Sequence, residues 1–403
     1  MPHNNPFIYG NPVAPAKLLG RKRELRQIAG RIYTGQSSII TGLPRSGKTS
    51  VLEYLNAPEK RAELYGDKAD KLIFSYWDAC TCSPEFTQAQ FWEYVLKPIQ
   101  ERIAPQNTNS PLDKAYETCQ ANDFEPYELE KLIAEIKKAN CKLLILIDEF
   151  DQILDSSFSL YTPDFLGGLR SQVQRGKGAL VLVITANISR SQLNEETRHF
   201  RKSETGSDYL NHLEEIVLGA LSNSEIDELL HQGDIHFTDD DRRFIKDIAG
   251  GYPYLLEVAA SILWEIYEEK KVLINPHQHV KRELYLKVAD TLNAIWKSWP
   301  QLMIKEHFTS LQKVVISVAL AEVKKWKINF KKQGINIDHI TKRFNGKEAE
   351  LRQLERYGFL IKDTAILGGW RIYPKIFLPF SIQKLEGYDD LKDLVVQKFF
   401  ESS

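Results

Sequence analysis

The chain has 403 residues, 43% of them hydrophobic and 27% charged, so it is an ordinary globular composition long enough for two or three domains. Lysine and arginine number 53 against 54 acidic residues, which leaves no overall basic excess of the kind that marks nucleic-acid or anionic-membrane binding. The segment MPHNNPFIYG lacks a basic start followed by an apolar run, and no stretch approaches the roughly 18 uninterrupted apolar residues of a membrane span, so a cytoplasmic protein is expected.

In chain order, residues 1–36 read as an arm, with three prolines in NPFIYGNPVAPAKLLG, that leads into an amphipathic helix over about 21–32. SSIITG is a short β-branched strand running into a glycine-rich turn and the helix TSVLEYLN. LIFSYWDA reads as a strand, FTQAQFWEYVLKPIQERI as a helix, the next stretch as a polar loop, YELEKLIAEIKKAN as a helix and KLLILIDEF as an apolar strand. Helix DFLGGLRSQVQRG and strand ALVLVITAN follow. Nearly continuous apolar strands separated by helices predict a parallel sheet covered on both faces, ending near residue 217.

Beyond 217 the strand pattern disappears, and helical periodicity in FTDDDRRFIKDIAG, YPYLLEVAASILWEIYEEK and about 276–296 predicts a helical lid domain over 218–298. Residues 299–403 read as helices FTSLQKVVISVALAEV, NIDHITKRF and KEAELRQLERYGFL, then a hairpin IKDTAILGGWRIYPKIFLPF turning at Gly368 and Gly369, then a C-terminal helix. That layout is a winged helix. The predicted divisions are thus 1–36, 37–217, 218–298 and 299–403. Cys80, Cys82, Cys119 and Cys141 show no CxxC spacing and read as reduced structural thiols.

GLPRSGKT, residues 42–49, fits G-x-x-x-x-G-K-[ST] between a strand and a helix, the P-loop arrangement in which backbone N–H groups and a helix N-terminus cradle phosphates. Gly42, Arg45, Ser46, Gly47, Lys48, Thr49 and Ser50 are therefore expected to hold the nucleotide phosphates. Lys48 would reach the β- and γ-phosphates and the Thr49 hydroxyl would ligate Mg²⁺. The strand LLILIDEF ends in acids, which suits Asp148 to holding Mg²⁺ and Glu149 to activating the attacking water. Asp151 reads as a structural or capping residue. At the end of ALVLVITAN, Asn187 is the first choice for a group facing the γ-phosphate and Thr185 the second. No N-K-x-D tetrapeptide is present, so ATP is expected rather than GTP.

The pieces NPFIYGNPV, LLGRKREL, the P-loop, the DE-ending strand, ITAN and AGGYPYLL, in this order, resemble the prokaryotic AAA+-like ATPases of the STAND and archaeal-ATPase group, relatives of origin-recognition and transposition regulators. The resemblance spans about residues 6–380. It implies a P-loop NTPase α/β core with a helical lid and a C-terminal winged helix, with ATP and Mg²⁺ as cofactors. It further implies that Gly20, Arg21 and Glu24 lie beside the adenine and that Gly251, Tyr252 and Pro253 touch the base, although Pro253 is equally explained as the first residue of a helix. Family members complete their sites with an arginine from a neighbouring subunit, for which Arg170, Arg175, Arg190, Arg198 and Arg201 are candidates. An M-H-D segment, used in one regulatory branch to sense ADP, is absent.

The expected function is an ATP-driven switch in which nucleotide between core, lid and winged helix sets the domain arrangement, with a homo-oligomer or a protein as partner. DNA is a less favoured partner, because the recognition helix sets Lys347, Arg352 and Arg356 against Glu348, Glu350 and Glu355. Lys324, Lys325, Lys327, Lys331 and Lys332, interleaved with Trp326 and Phe330, form the conspicuous basic and aromatic cluster. The alternatives are a DNA-binding ATPase of the initiator or transposition-regulator kind and a small-molecule kinase.

Overall fold

The computed structural model describes residues 3–103, 110–200, 208–270, 273–299, 309–326, 328, 330 and 346–401. The chain divides into two compact units, one of residues 1–13, 43–47 and 219–403, the other of residues 14–42 and 48–218.

The second unit is built on five parallel strands, β1 Ser38–Thr41, β2 Leu72–Asp78, β3 Lys142–Asp148, β4 Leu180–Ala186 and β5 Glu214–Val217, in the order β2-β3-β4-β1-β5. Side chains alternate between faces along a strand, and the sheet accordingly feeds two cores. Leu143, Ile145 and Ile147 of β3, with Leu180, Leu182 and Ile184 of β4 and Ile39 of β1, pack with Phe91, Trp92 and Leu132 on one face. Leu144, Leu146, Val181, Val183 and Ile40 pack on the other face with Ile28, Ile32, Val51 and Leu55. Each fully buried aliphatic side chain contributes about 1.5–3 kcal/mol, so double-sided burial outweighs the absence of polar alternation that a one-sided sheet would show.

Two expectations are corrected in this unit. The stretch read as a polar loop contains the helix Pro111–Ala121, started by Ser110, whose side chain accepts from the Asp113 N–H, with Pro111 at the first helical position. Its buried residues are Tyr116 and Cys119, so the apolar stripe is too narrow to dominate the periodicity. A fifth strand, β5, was not expected. It is an edge strand of sequence EEIV with only Ile216 buried.

In the first unit the helices are Asn223–Leu230, Asp239–Ala249, Pro253–Glu268, Pro276–Lys287 and Ala289–Ser298. Reciprocal caps start two of them, Ser222 with Glu225 and Thr238 with Asp241. The helix Pro253–Glu268 is buried on most of its circumference, through Leu255, Leu256, Val258, Ala259, Ala260, Leu263 and others. The arm lies along it: Asn5 Nδ2 donates to Ser261 Oγ at 2.8 Å, the Ile8 N–H donates to Glu257 Oε2 at 3.0 Å, and the Phe7 ring stacks on Phe237 at 5.4 Å between centroids.

Further along come the helix Ser310–Val323, the helix Glu348–Tyr357 and an antiparallel pair of strands, β6 Leu360–Lys362 and β7 Trp370–Ile372. The helix expected from NIDHITKRF lies outside the described residues. The hairpin is shorter than expected, because IFLPF is not its second strand. Those residues lead into the helix Phe377–Gln383, where Phe377, Leu378, Phe380 and Ile382 are all buried, a pattern a half-exposed wing strand could not satisfy. Helix Asp389–Glu401 follows. No helix among the described residues is long and apolar enough to cross a membrane.

Candidate nucleotide site

Strand β1 ends at Thr41, and the chain turns through Leu43 to Gly47 before the helix Lys48–Asn56 begins. Within the turn the Ser46 N–H donates to the Leu43 carbonyl at 3.1 Å, and Arg45 and Gly47 take left-handed backbone angles, φ 66° and 93°. Left-handed residues alternating with right-handed ones point successive N–H groups inward, which is how a turn makes an anion-binding concavity. A left-handed angle is inexpensive at Gly47 and strained at Arg45. The Arg45 guanidinium does not remain with the turn: it donates to the Gly10 carbonyl and lies 5.5 Å from the Tyr254 ring centroid. The phosphate role expected of Arg45 therefore rests on its backbone.

Lys48 begins the helix and is buried, 6% exposed. Its Nζ donates to the Gly42 carbonyl at 3.0 Å and to Asn187 Oδ1 at 2.8 Å. Burial lowers the pKa of this ammonium, opposed by the charges of Asp151, Glu149 and Asp148. Thr49 is half-buried and Ser50 buried in the same first turn.

The acidic pair stands at the end of β3. Register places Asp148 opposite Asp78 of β2 and Ile147 opposite Ile184 of β4, so Thr185 comes level with the acids. The Thr185 hydroxyl donates to Asp148 Oδ1 and accepts the Glu149 N–H at 2.8 Å. Asp148 Oδ2 also accepts from Tyr76 at 3.3 Å, and burial followed by the Asp148 charge raises the Tyr76 pKa, which keeps that phenol a donor. Glu149 sits at φ 49°, an uncommon angle for a residue with a side chain, and the chain turns there into the short helix Phe150–Ile153. Its Oε2 accepts from Cys80 Sγ at 3.2 Å. Burial, and next the Glu149 hydrogen bond, push the Cys80 thiol up to about 12.

Asp151 accepts the Asn187 N–H at 3.1 Å, a structural use of its carboxyl, and burial raises its pKa against that hydrogen bond and the Lys48 charge. Thus Lys48, Asp148, Glu149 and Asn187 stand together at the ends of β1, β3 and β4, with Thr185 and Cys80 supporting the acids. The sequence reading placed Thr185 in a different task and took Cys80 for a structural thiol away from the site. Thr185 could have been found from the β3–β4 register; nothing local marks Cys80.

Arg21 is buried, 3% exposed, and holds a left-handed angle of 61° as N-cap of the helix Lys22–Tyr33, directly after Gly20 at φ 75°. In the other unit Pro253 is the first residue of the helix Pro253–Glu268, with Tyr252 at the position before it. The Tyr252 hydroxyl donates to the Pro44 carbonyl. Gly251 permits a backbone crossing: its carbonyl accepts from the Leu221 N–H at 2.7 Å, and a Cβ on it would stand 2.7 Å from the Leu221 oxygen.

Four of the five arginine candidates are occupied within the chain. Arg170 donates to the Asp208 carbonyl, Arg175 pairs with Glu130 at 2.6 Å, Arg190 donates to the Leu213 carbonyl and Arg198 pairs with Glu195 at 3.1 Å. Arg201, Lys327, Lys331 and Lys332 lie outside the described residues. In the basic and aromatic cluster Phe330 is buried, 5% exposed, so it offers no stacking surface to a base. On the helix Glu348–Tyr357, Glu350 accepts from Lys347 at 2.9 Å. All four cysteines are free thiols.

Residues 31–191 match the model of the AAA domain family, and the strand–turn–helix, the DE pair and Asn187 all fall within the matched stretch. No curated protein matches the sequence. Among solved structures, the Walker-type ATPase paby2304 of Pyrococcus abyssi is similar over 94% of this chain and 99% of its own, with a TM-score of 0.51 and 12% identity. The ORC2 protein of Aeropyrum pernix, solved in ADPNP–ADP complexes, is similar over 96% of this chain and 98% of its own, with a TM-score of 0.50 and 14% identity. Over residues 31–191 the chain is thus similar to an AAA domain, and its fold is that of the Walker-type ATPase and ORC2 structures.

Proposed function

We propose that the protein binds ATP with Mg²⁺ and hydrolyses it slowly as a regulatory switch. The observation that carries this reading is the convergence of Lys48, Asn187, Asp148 and Glu149 beside the residue 42–49 turn. In it the 42–49 N–H groups, Lys48 and Ser50 hold the phosphates. Thr49 and Asp148 hold Mg²⁺, which would neutralise phosphate charge, and Glu149 takes a proton from the attacking water while Asn187 orients the γ-phosphate side. Arg21 and Pro253 take part in adenine binding. The nucleotide complexes of the Aeropyrum pernix relative favour the same ligand class.

The switch reading divides the chain into an arm and helix (1–36), ATPase core (37–217), helical lid (218–298) and winged helix with C-terminal helix (299–403). Nucleotide state changes the arrangement of these parts, and a homo-oligomer or protein partner reads it in the cytoplasm. The Lys347–Glu350 pair and buried Phe330 speak against DNA as the first partner.

The test is steady-state hydrolysis together with size-exclusion and light scattering in ADP and in a non-hydrolysable ATP analogue, each with and without duplex DNA. Hydrolysis lost in Glu149→Gln, with a nucleotide-dependent change of mass, supports the switch. A tight ATP-dependent DNA complex without such a change would replace it by the initiator-like reading.

A further inference from the structure

Away from the P-loop, three segments of the first unit bring metal-ligating groups to one point. His3 comes from the arm, His236 from the turn before the helix Asp239–Ala249, and Glu268 from the last turn of the helix Pro253–Glu268. Their ligand atoms all lie within 4.8 Å of one another. His236 Nε2 is 2.7 Å and His3 Nδ1 3.7 Å from the same oxygen, Glu268 Oε2. Donors around a tetrahedral Zn²⁺ at about 2.0–2.1 Å stand about 3.3–3.4 Å apart, so the observed spacings bracket that arrangement.

The donor residues are also held by contacts other than those between their ligand atoms. Asn5 and Phe7 dock the arm on Ser261 and Phe237, which fixes the chain two residues beyond His3. The His236 ring lies against Trp264, 4.5 Å between centroids at 65°, which sets its plane. The His3 N–H donates to Glu268 Oε1 at 2.7 Å, so Oε2 is the carboxylate oxygen that faces the two imidazoles. Outer contacts that orient imidazoles and carboxylates are what separates a metal site from a chance cluster.

We propose that His3, His236 and Glu268 form a site for a divalent cation of the zinc class, two imidazoles and a carboxylate with the fourth position left to water, and that the ion fastens the arm to the helical unit. Imidazole and carboxylate donors suit Zn²⁺ and Co²⁺ better than Mg²⁺ or Ca²⁺, which favour all-oxygen sets.

The test uses the full chain, stripped with chelator and free of nucleotide, titrated with Co²⁺ and then displaced by Zn²⁺. One Co²⁺ per chain is expected, with the strong visible absorption of four-coordinate nitrogen and oxygen ligation and without a thiolate charge-transfer band. His3→Ala, an exposed arm position, and Glu268→Gln should each weaken binding at least about tenfold. Far-UV circular dichroism of His3→Ala should match the parent. A Cys80→Ser/Cys82→Ser variant should bind as the parent does. Absence of saturable binding, equal binding by His3→Ala, or loss on removing the two cysteines would overturn the assignment. Each is independent of whether ATP is hydrolysed.

Discussion

Lys48 Nζ stands 2.8 Å from Asn187 Oδ1, so the ammonium of the P-loop helix is bonded across β1 and β4 to a side chain that follows the neighbouring strand. The buried ammonium has its pKa lowered by desolvation and is supported by three carboxylates. A phosphate chain would supply a stronger partner than the neutral oxygens of Gly42 and Asn187. Lys48→Ala should therefore lower ATP affinity by about tenfold to a hundredfold, the equivalent of about 1.5–3 kcal/mol for a charge-assisted hydrogen bond. Calorimetric titration with ATP checks this, and undiminished affinity would remove Lys48 from the site.

Glu149→Gln keeps the shape of the side chain and removes its ability to accept a proton. ATP and Mg²⁺ should bind as before while turnover falls about 10²- to 10⁴-fold. Single-turnover hydrolysis measures the chemical step directly; a parental rate would mean that another group is the base.

The Thr185 hydroxyl links Asp148 Oδ1 to the Glu149 N–H, so it orders both acids without needing to touch nucleotide. Thr185→Val, nearly the same volume, leaves the buried acid and the N–H without that partner. Hydrolysis is expected to drop about 10- to 100-fold, whereas Thr185→Ser restores the hydroxyl and most of the rate. If valine and serine behaved alike, the link would be structural only.

At Gly251 an added Cβ would meet the Leu221 carbonyl oxygen at 2.7 Å and the Ala220 Cβ at 2.9 Å. These are backbone and backbone-proximal atoms that cannot rotate away. Gly251→Ala should cost about 1–3 kcal/mol of stability by overpacking, read as a lower denaturant midpoint with unchanged slope.

The pKa of Glu257 is pushed up to about 8 by burial, against the Ile8 N–H that it accepts. The folded chain then holds a proton that the unfolded chain has released above about pH 4.5. By linkage, stability must fall as pH rises from about 4.5 to 8 and level off beyond, by at most about 1.4 kcal/mol per pH unit from this group. Glu257→Gln keeps an acceptor for the Ile8 N–H and carries no proton to lose. Melting curves across pH 5 to 8 should be flatter for it than for the parent, and equal slopes would exclude Glu257 as the cause.

Legibility in the sequence followed how local each determinant is. Residues 42–49 and LLILIDEF announce themselves because their apolar strands, turn and helix are consecutive, and burial on both faces leaves β3 without polar alternation. Strand β5 was hidden by Glu214 and Glu215, which are tolerable at a sheet edge. The helix Pro111–Ala121 did carry a local signal, Ser110 followed by Pro111, which a weak apolar stripe obscured. Thr185 and Cys80 depend on which strands and loops lie side by side, information that no window of consecutive residues holds. The donor set of His3, His236 and Glu268 is more remote still.

The arm has a further consequence, for the order of events during synthesis. Asn5 and Ile8 bond to residues 256 and 249 positions later in the chain. At about 5–20 residues per second, those partners leave the ribosome on the order of 10–50 s after the arm does. The arm's apolar Phe7 has no docking surface in that interval. Residues 14–218 can complete their sheet first, and the arm, made before them, finds its native neighbours only after them.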